Sequence, residues 1–499
     1  MYAARHTSSP GAEVRKPFVN LLVVVLLLAG AIRAGAQGNR PNVVFILADD
    51  LGFGDVGWSW QAMRKPGEAR IFTPNLDRLA EEGTVLSSHY CAAPVCAPSR
   101  ASILTGRLQR PGGCSVRDNM FDHPITEPET LATVMKRGGY RTMAIGKWGV
   151  GGGGESGKPV TAHPLDKGFD AFYGFMDHLA GHTYYHYDGI LHGAYMGIWE
   201  NREKATETAA GRYSTDLFFA RAKREIASAV KEHPGKPFFL YLAVNTVHGS
   251  GRSDGTLKEK HPLHVPGRPY PAEGVSWPLD PEPLDARNTW IDPRYRSLPD
   301  ENMRRYATAV SRLDDAVGDL VRHLERLGAA KNTIIVFTSD NGPADEYGAD
   351  TRFFGSAGPF DGLKRDVYEG GMRVPTFVWG AGGPKVDASP SISTDWMATL
   401  ADIAGVAKPE QCDGVSLLPR WKDGANPQPS RIETVYSGCW SDQADFAAFA
   451  ARKHNLVRGE QEMRREGNVV TLRAGGRDKP WRRYDVVADP HQDNDLNGR

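Results

Sequence analysis

The sequence predicts an α/β fold: a three-layer α/β/α sandwich around a largely parallel sheet, joined to a smaller C-terminal α+β domain with an antiparallel sheet. Two observations carry this. Short apolar, β-branched runs alternate with amphipathic helical stretches through most of the chain, the pattern of strands buried on both faces. Past about residue 405 that alternation gives way to short strands and turns. A length of 499 residues suits one large domain plus a small one.

The N-terminus is unlike the rest. Arg5, Arg15 and Lys16 precede an apolar run from Phe18 to Ala29, and Ala34-Gly35-Ala36 then offers small residues at a cleavage-like spacing. This order reads as a secretory signal over residues 1–36, making the protein exported, either periplasmic or secreted. The apolar core is short for a membrane anchor, which needs about 20 residues. A catalytic-size domain is expected over residues 37–405 and the smaller one over 406–499.

Asn42 to Leu47 is a short buried strand, β-branched at Val43, Val44 and Ile46. Thr73-Pro74 opens a helix that runs through Glu82 and stops at Gly83. Thr126 to Arg137 reads as a second helix of the same kind, before Gly138-Gly139, and Tyr140 to Ile145 as the next strand. Ser214 to Glu232 is helical and Pro237 to Val244 a strand. Met303, Tyr306, Val310, Leu313, Val317, Leu320, Leu324 and Leu327 recur at three- and four-residue steps, marking a long amphipathic helix. Thr333 to Phe337 is another buried strand. Gly149 to Lys158 and His261 to Asp300 lack periodicity and read as loops, which commonly rim a site.

The 60 basic and 60 acidic side chains balance, so nothing in the total charge points to a nucleic-acid partner. The five cysteines, Cys91, Cys96, Cys114, Cys412 and Cys439, leave at least one thiol outside any intramolecular pairs; with Cys96 set aside, four remain for up to two disulfides.

The polar clusters fall where α/β proteins bind ligands, beyond the carboxyl ends of strands. The first strand runs into Asp49-Asp50 and the Thr333 strand into Ser339-Asp340-Asn341-Gly342. The Tyr140 strand reaches Gly146-Lys147, and the Pro237 strand leads to His248. Asp after a strand is commonly a turn or cap, but four such ends on one face make a site the better reading. Asp49, Asp50, Asp340 and Asn341 are hard oxygen donors, suited to Ca²⁺ or Mg²⁺ and ill suited to Zn²⁺. In Cys96-Ala97-Pro98-Ser99-Arg100, Pro98 favours a helix start just after Cys96, where amide N–H groups and the helix dipole favour an anion. On the residues alone, Cys96 is an inert buried thiol or an activated one.

The stretch from Cys96 to Arg107 resembles the signature of the type I sulfatases, Cys-x-Pro-Ser-Arg followed by Leu-Thr-Gly-Arg. The resemblance extends through Gly146-Lys147-Trp148, Gly168-Phe169-Asp170, Lys364, Glu369 to Pro375 and Asp489-Pro490. It implies that a formylglycine-generating maturation enzyme oxidises Cys96 and that the aldehyde hydrate attacks sulfur. It implies one Ca²⁺ held by Asp49, Asp50, Asp340 and Asn341 and touching residue 96. Arg100 would orient the hydrate, Lys147 and Lys364 would neutralise sulfate and departing oxygens, and His248 would lie near the leaving group as a donor. The substrate would be a sulfated small molecule or carbohydrate.

Two departures stand out. Gly149 occupies the place where the family pattern usually has His, leaving His182 and His186 as candidates for the missing base; Lys167 also replaces a frequent His. The alternative function is a formylglycine-dependent phosphodiester or phosphonate hydrolase of the same superfamily, the alkaline phosphatase superfamily. Its zinc-pair members carry Asp-His where this chain has Asp340-Asn341. An inert binder of sulfated glycans is a third reading, which Gly149 keeps open.

Overall fold

The computed structural model describes Met1 and residues 40–117, 123–153, 159–185, 197–209, 211–249, 278–279, 290–345, 350–424, 429–438 and 459–498. Residues Pro41–Arg499 form one compact unit. The expected signal lies outside the described residues, as do His186 and Cys439. No described helix is long and apolar enough to cross a membrane.

The strands are β1 (Asn42–Ala48), β2 (Thr84–Leu86), β3 (His89–Tyr90), β4 (Arg141–Lys147), β5 (Ala171–Phe175), β6 (Ile198–Glu200), β7 (Glu203–Lys204) and β8 (Phe238–Ala243). They continue with β9 (Thr333–Ser339), β10 (Phe377–Trp379), β11 (Val386–Asp387), β12 (Ser391–Ile392), β13 (Ile432–Gly438), β14 (Gly459–Glu466), β15 (Val469–Arg473) and β16 (Arg482–Asp485). A ten-stranded sheet runs in the order β11-β2-β10-β9-β1-β8-β4-β5-β6-β7. Its centre, β9-β1-β8-β4-β5, is parallel; β10, β6 and β7 add antiparallel pairs at either side.

Alternate residues of β1 face opposite layers, as the two-residue period of a strand requires. Val44 and Ile46 pack with Leu76 and Leu79 of α1 (Pro74–Glu82), with Phe218 and Ile226 of α4 (Ser214–Glu232), and with Val310 and Leu313 of α5 (Glu301–Arg326). Val43, Phe45 and Leu47 pack with Ile103 and Leu104 of α2 (Cys96–Thr105), Val134 of α3 (Leu131–Arg137) and Trp396 and Leu400 of α6 (Asp395–Ala404). Each such fully buried side chain contributes about 1.5–3 kcal/mol. Burial on both faces is why β1 reads as an unbroken apolar run.

The second sheet, β13-β14-β15-β16, is antiparallel. Its Met463, Val470, Leu472 and Tyr484 share a core with Tyr90, Leu108, Val367 and Met372. A buried polar knot lies beside that core: Arg465 donates to Ser88 Oγ at 2.8 Å, and Tyr90 Oη to Glu369 Oε1 at 2.7 Å.

Two expectations need correcting. The helix expected from Thr126 begins at Leu131, because Thr130 and not Thr126 caps it: Thr130 Oγ1 accepts from Thr133 N, and Thr133 Oγ1 from Thr130 N. Glu127 is drawn away to the amide and hydroxyl of Ser115. Among the described residues, Cys91, Cys96, Cys114 and Cys412 are all buried free thiols. Cys114 and Cys412 lie in one hydrophobic cluster and Cys91 and Cys96 in two others, and no disulfide joins any of the four.

Candidate active site

The four central parallel strands β9, β1, β8 and β4 are hydrogen-bonded neighbours, with Ala48 paired to Ser339 and both Leu47 and Gly146 paired to Ala243. Their carboxyl ends therefore stop level, and the residues that follow converge. Backbone bonds lock the convergence: Asp49 N donates to Thr246 O at 3.0 Å, Val247 N to Asp49 O at 2.7 Å, and Asp340 N to Ala48 O at 3.1 Å. Asp50 takes a left-handed backbone, φ 60°, which Asp tolerates better than most residues. Its amide donates to Asp340 Oδ1 at 3.1 Å.

Cys96 is the first residue of α2, after an extended Val95, and is 1% exposed. Its Sγ lies 4.0 Å from Asp50 Oδ1. Next along the helix, Ser99 Oγ donates to Asp340 O at 2.5 Å. Arg100 clamps three groups: Nε reaches Asp340 Oδ2 at 2.9 Å, Nη1 the Lys147 carbonyl at 3.1 Å, and Nη2 lies 3.4 Å from Asp49 Oδ2. Lys147 Nζ donates to Asp49 Oδ2 at 2.8 Å. Lys364 Nζ donates to Asp50 Oδ2 at 2.8 Å and approaches His248 Nε2 at 3.1 Å. Asn341 Nδ2 donates to Asp50 Oδ1 at 2.8 Å. His182 stacks on His248, with ring centroids 4.0 Å apart and planes 12° from parallel. Of the site residues expected from the sequence, Asp49, Asp50, Cys96, Arg100, Lys147, His182, His248, Asp340, Asn341 and Lys364 fall in one cluster, while His186 lies outside the described residues.

The charges are strongly coupled. Burial opposes ionisation of Asp49, but Lys147 and then Arg100 overcome it and hold the carboxyl well below its usual range. Burial and the Asp49 charge push Asp340 up, against Arg100. Burial also pushes the Cys96 thiol up, despite Lys364 and Lys147. This disfavours an activated thiolate at the helix N-terminus, since the lost hydration outweighs the two lysines. His248 falls to about 4 through burial and Lys364, against Asp50. Its Nδ1 lies 2.6 Å from the Gly249 carbonyl, which can only accept, so Nδ1 carries the proton and Nε2 accepts from Lys364.

Ligand atoms of Asp49, Asp50, Cys96 and His248 all lie within 4.8 Å of one another, the spacing a metal ion requires. Asp49 Oδ1 and Asn341 Oδ1 are buried acceptors with no hydrogen-bond partner, and an orphaned buried acceptor is costly unless a cation meets it. His248 Nε2, by contrast, is engaged by Lys364. The donors left open are oxygens, which fits a hard divalent ion and not zinc.

Sequence reasoning missed His178. It follows β5, the sheet neighbour of β4, and its Nδ1 lies 3.2 Å from the Gly149 carbonyl. Its place four residues before His182, just past a strand end, was the available signal. The hydroxyl of Tyr184, two residues after His182, donates to the Asn245 and His248 carbonyls at 3.0 and 2.9 Å. Lys167 lies apart from this network, its ammonium donating to the Glu127 carbonyl at 3.0 Å.

Residues 41–406 match the family model for sulfatases. The chain is 31% identical to arylsulfatase J of Mus musculus over 93% of this chain and 74% of that protein. It is 29% identical to N-acetylgalactosamine-6-sulfatase of Rattus norvegicus over 81% of this chain and 70% of that one. The crystal structure of Ps i-CgsB in complex with k-i-k-neocarrahexaose superposes with a TM-score of 0.68 at 25% identity, covering 92% of this chain and 89% of that chain. Like the sulfatases it matches, this chain, with a mixed sheet covered by helices on both sides and a buried cluster of carboxylates and cations at its strand ends, is a sulfuric ester hydrolase. The chain belongs to the sulfatase family, among the type I sulfatases of the alkaline phosphatase superfamily.

Proposed function

We propose that the protein hydrolyses sulfate esters of carbohydrates to alcohol and inorganic sulfate, using a formylglycine made from Cys96 and one bound Ca²⁺. The observation that carries this reading is the seat of Cys96: at the first turn of α2, 4.0 Å from Asp50, among two buried lysines. Carbohydrate is favoured because a relative is named N-acetylgalactosamine-6-sulfatase.

Asp49, Asp50, Asp340 and Asn341 would hold the ion, which supplies Lewis-acid polarisation of the sulfate oxygens. Oxidised to formylglycine and hydrated, residue 96 supplies a geminal diol: one hydroxyl attacks sulfur, and loss of a proton from the other expels sulfate and restores the aldehyde. Arg100 fixes the carboxylate frame around that residue. Lys147 and Lys364 place positive charge where sulfate and leaving oxygens gather it, the electrostatic contribution that most lowers such barriers. The proton for the leaving oxygen is held by the Lys364–His248 pair. His182, stacked on His248, is the candidate for the base that Gly149 cannot provide. Because Cys96 is 1% exposed, the maturation enzyme would read Cys96-Ala97-Pro98-Ser99-Arg100 before the chain folds. The signal over residues 1–36 supports an exported enzyme, with residues 37–405 as catalytic domain and 406–499 as the smaller one.

Rates of sulfate release from a panel of sulfated mono- and polysaccharides, run beside aryl sulfate and aryl phosphate esters, test the reading. Turnover of a sulfated sugar with sulfate preferred over phosphate is expected; a clear preference for phosphate esters would refute it.

A further inference from the structure

Three imidazoles form a layer beside the carboxylates. His178 is 1% exposed, its Nδ1 3.2 Å from the Gly149 carbonyl. That carbonyl only accepts, so Nδ1 carries the proton and the ring is held at one end. It also meets His182, edge to face, centroids 5.1 Å apart at 81°. His182 in turn lies flat on His248 at 4.0 Å, and His248 Nε2 meets Lys364 Nζ at 3.1 Å. The layer thus runs without a break from the Gly149 loop to the Lys364 ammonium.

The backbone is shaped for this layer. Asp177 Oδ1 accepts from the amides of Leu179 and Ala180 at 2.8 and 3.3 Å, starting the tight turn Ala180–His182 that carries His182. A Cβ on Gly181 would stand 2.6 Å from the Lys147 side chain, so the turn presses directly on that lysine. A Cβ on Gly149 would stand 3.1 Å from His178 Nδ1, tighter than nine in ten real contacts, and Gly149 has φ +71°, which side chains rarely adopt. Residue 149 can carry a side chain only if His178 gives way.

We propose that His178 is a positioning residue for the reaction, holding His182 against His248 on the leaving-group side, and that Gly149 lacks a side chain because the His178 imidazole occupies that space. This rests on the sulfatase reading above, with Lys364 and His248 at the departing oxygen. A misplaced His248 matters most when the leaving oxygen is basic and needs a proton; nitrophenolate leaves readily without one.

The test measures kcat and KM of the mature enzyme, His178→Ala, His178→Asn, Gly149→Ala and Gly149→Ala/His178→Ala on a sugar sulfate and on 4-nitrophenyl sulfate. For His178→Ala, kcat on the sugar sulfate is expected to fall by roughly 10- to 100-fold, and by at least about ten-fold more than on the aryl ester, with KM changing little. His178→Asn, whose amide can still donate to the Gly149 carbonyl, recovers part of that difference. Gly149→Ala reproduces the selective loss, and in the His178→Ala background adds little to it. If His178→Ala does not fold, His178→Asn and Gly149→Ala carry the same comparison. Equal losses on both esters, or additive losses in the double variant, overturn the proposal. A wild-type enzyme that hydrolyses neither sulfate ester overturns the sulfatase reading instead.

Discussion

Arg100 Nε and Asp340 Oδ2 meet at 2.9 Å with neither side chain exposed to solvent. The pair joins the helix that starts at Cys96 to the end of β9, and the same guanidinium reaches Asp49 Oδ2 and the Lys147 carbonyl. Removing one partner of such a pair strands a buried charge.

Arg100→Ala is therefore expected to destabilise the fold by about 3–5 kcal/mol. Arg100→Lys should recover little, because one ammonium cannot serve three acceptors in a planar fork. Denaturant unfolding of the two variants checks this; a loss under about 1 kcal/mol for the alanine variant would mean that the clamp carries no weight.

Calcium should bind the folded chain more tightly than the unfolded one. At a Ca²⁺ concentration a hundred times its Kd, the folded state gains about 2.7 kcal/mol. Calorimetric melting with Ca²⁺ and with chelator should show that rise in the wild type and lose most of it in Asn341→Ala, which removes an open acceptor. Identical melting in both conditions would contradict the assignment of the oxygen donors.

His89, away from the carboxylates, gives a clean pH signature. It is fully buried against Trp396, with Nδ1 2.8 Å from Ser391 Oγ. Burial first, then Arg420, lowers it from 6.5 to about 3. The unfolded chain takes up a proton near pH 6.5 while the folded chain does not, so the stabilisation is present above pH 6.5 and is lost as pH falls towards 3. Between pH 6.5 and 5 the loss attributable to this residue is roughly 2 kcal/mol, at 1.36 kcal/mol per pH unit. The stability of His89→Gln should fall less steeply over that window, and parallel curves for both proteins would rule the assignment out.

How much of this was legible in the sequence depends on how far each determinant reaches along the chain. The strand ends were legible because an apolar run and the polar residues after it are contiguous: Asn42 to Leu47 with Asp49-Asp50, and Thr333 to Phe337 with Asp340-Asn341. Helices with strong periodicity, Ser214–Glu232 and Glu301–Arg326, were equally plain. Lys364 follows no strand, and only its resemblance to the sulfatase pattern marked it. The start of α3 was misread because Thr126 and Thr130 are both good caps, and what decides between them is Ser115, eleven and fifteen residues away. His178 was missed because its role exists only in space: it fills the room that Gly149 leaves on the neighbouring strand's loop.

The mass of the peptide containing residue 96, taken from enzyme expressed with a competent maturation enzyme and actively releasing sulfate, tests the central claim most directly. The expected result is an aldehyde at residue 96, confirmed by capture with a hydrazide reagent, and no turnover in Cys96→Ala despite an intact fold. An unmodified thiol at that position in an enzyme of full activity would contradict it.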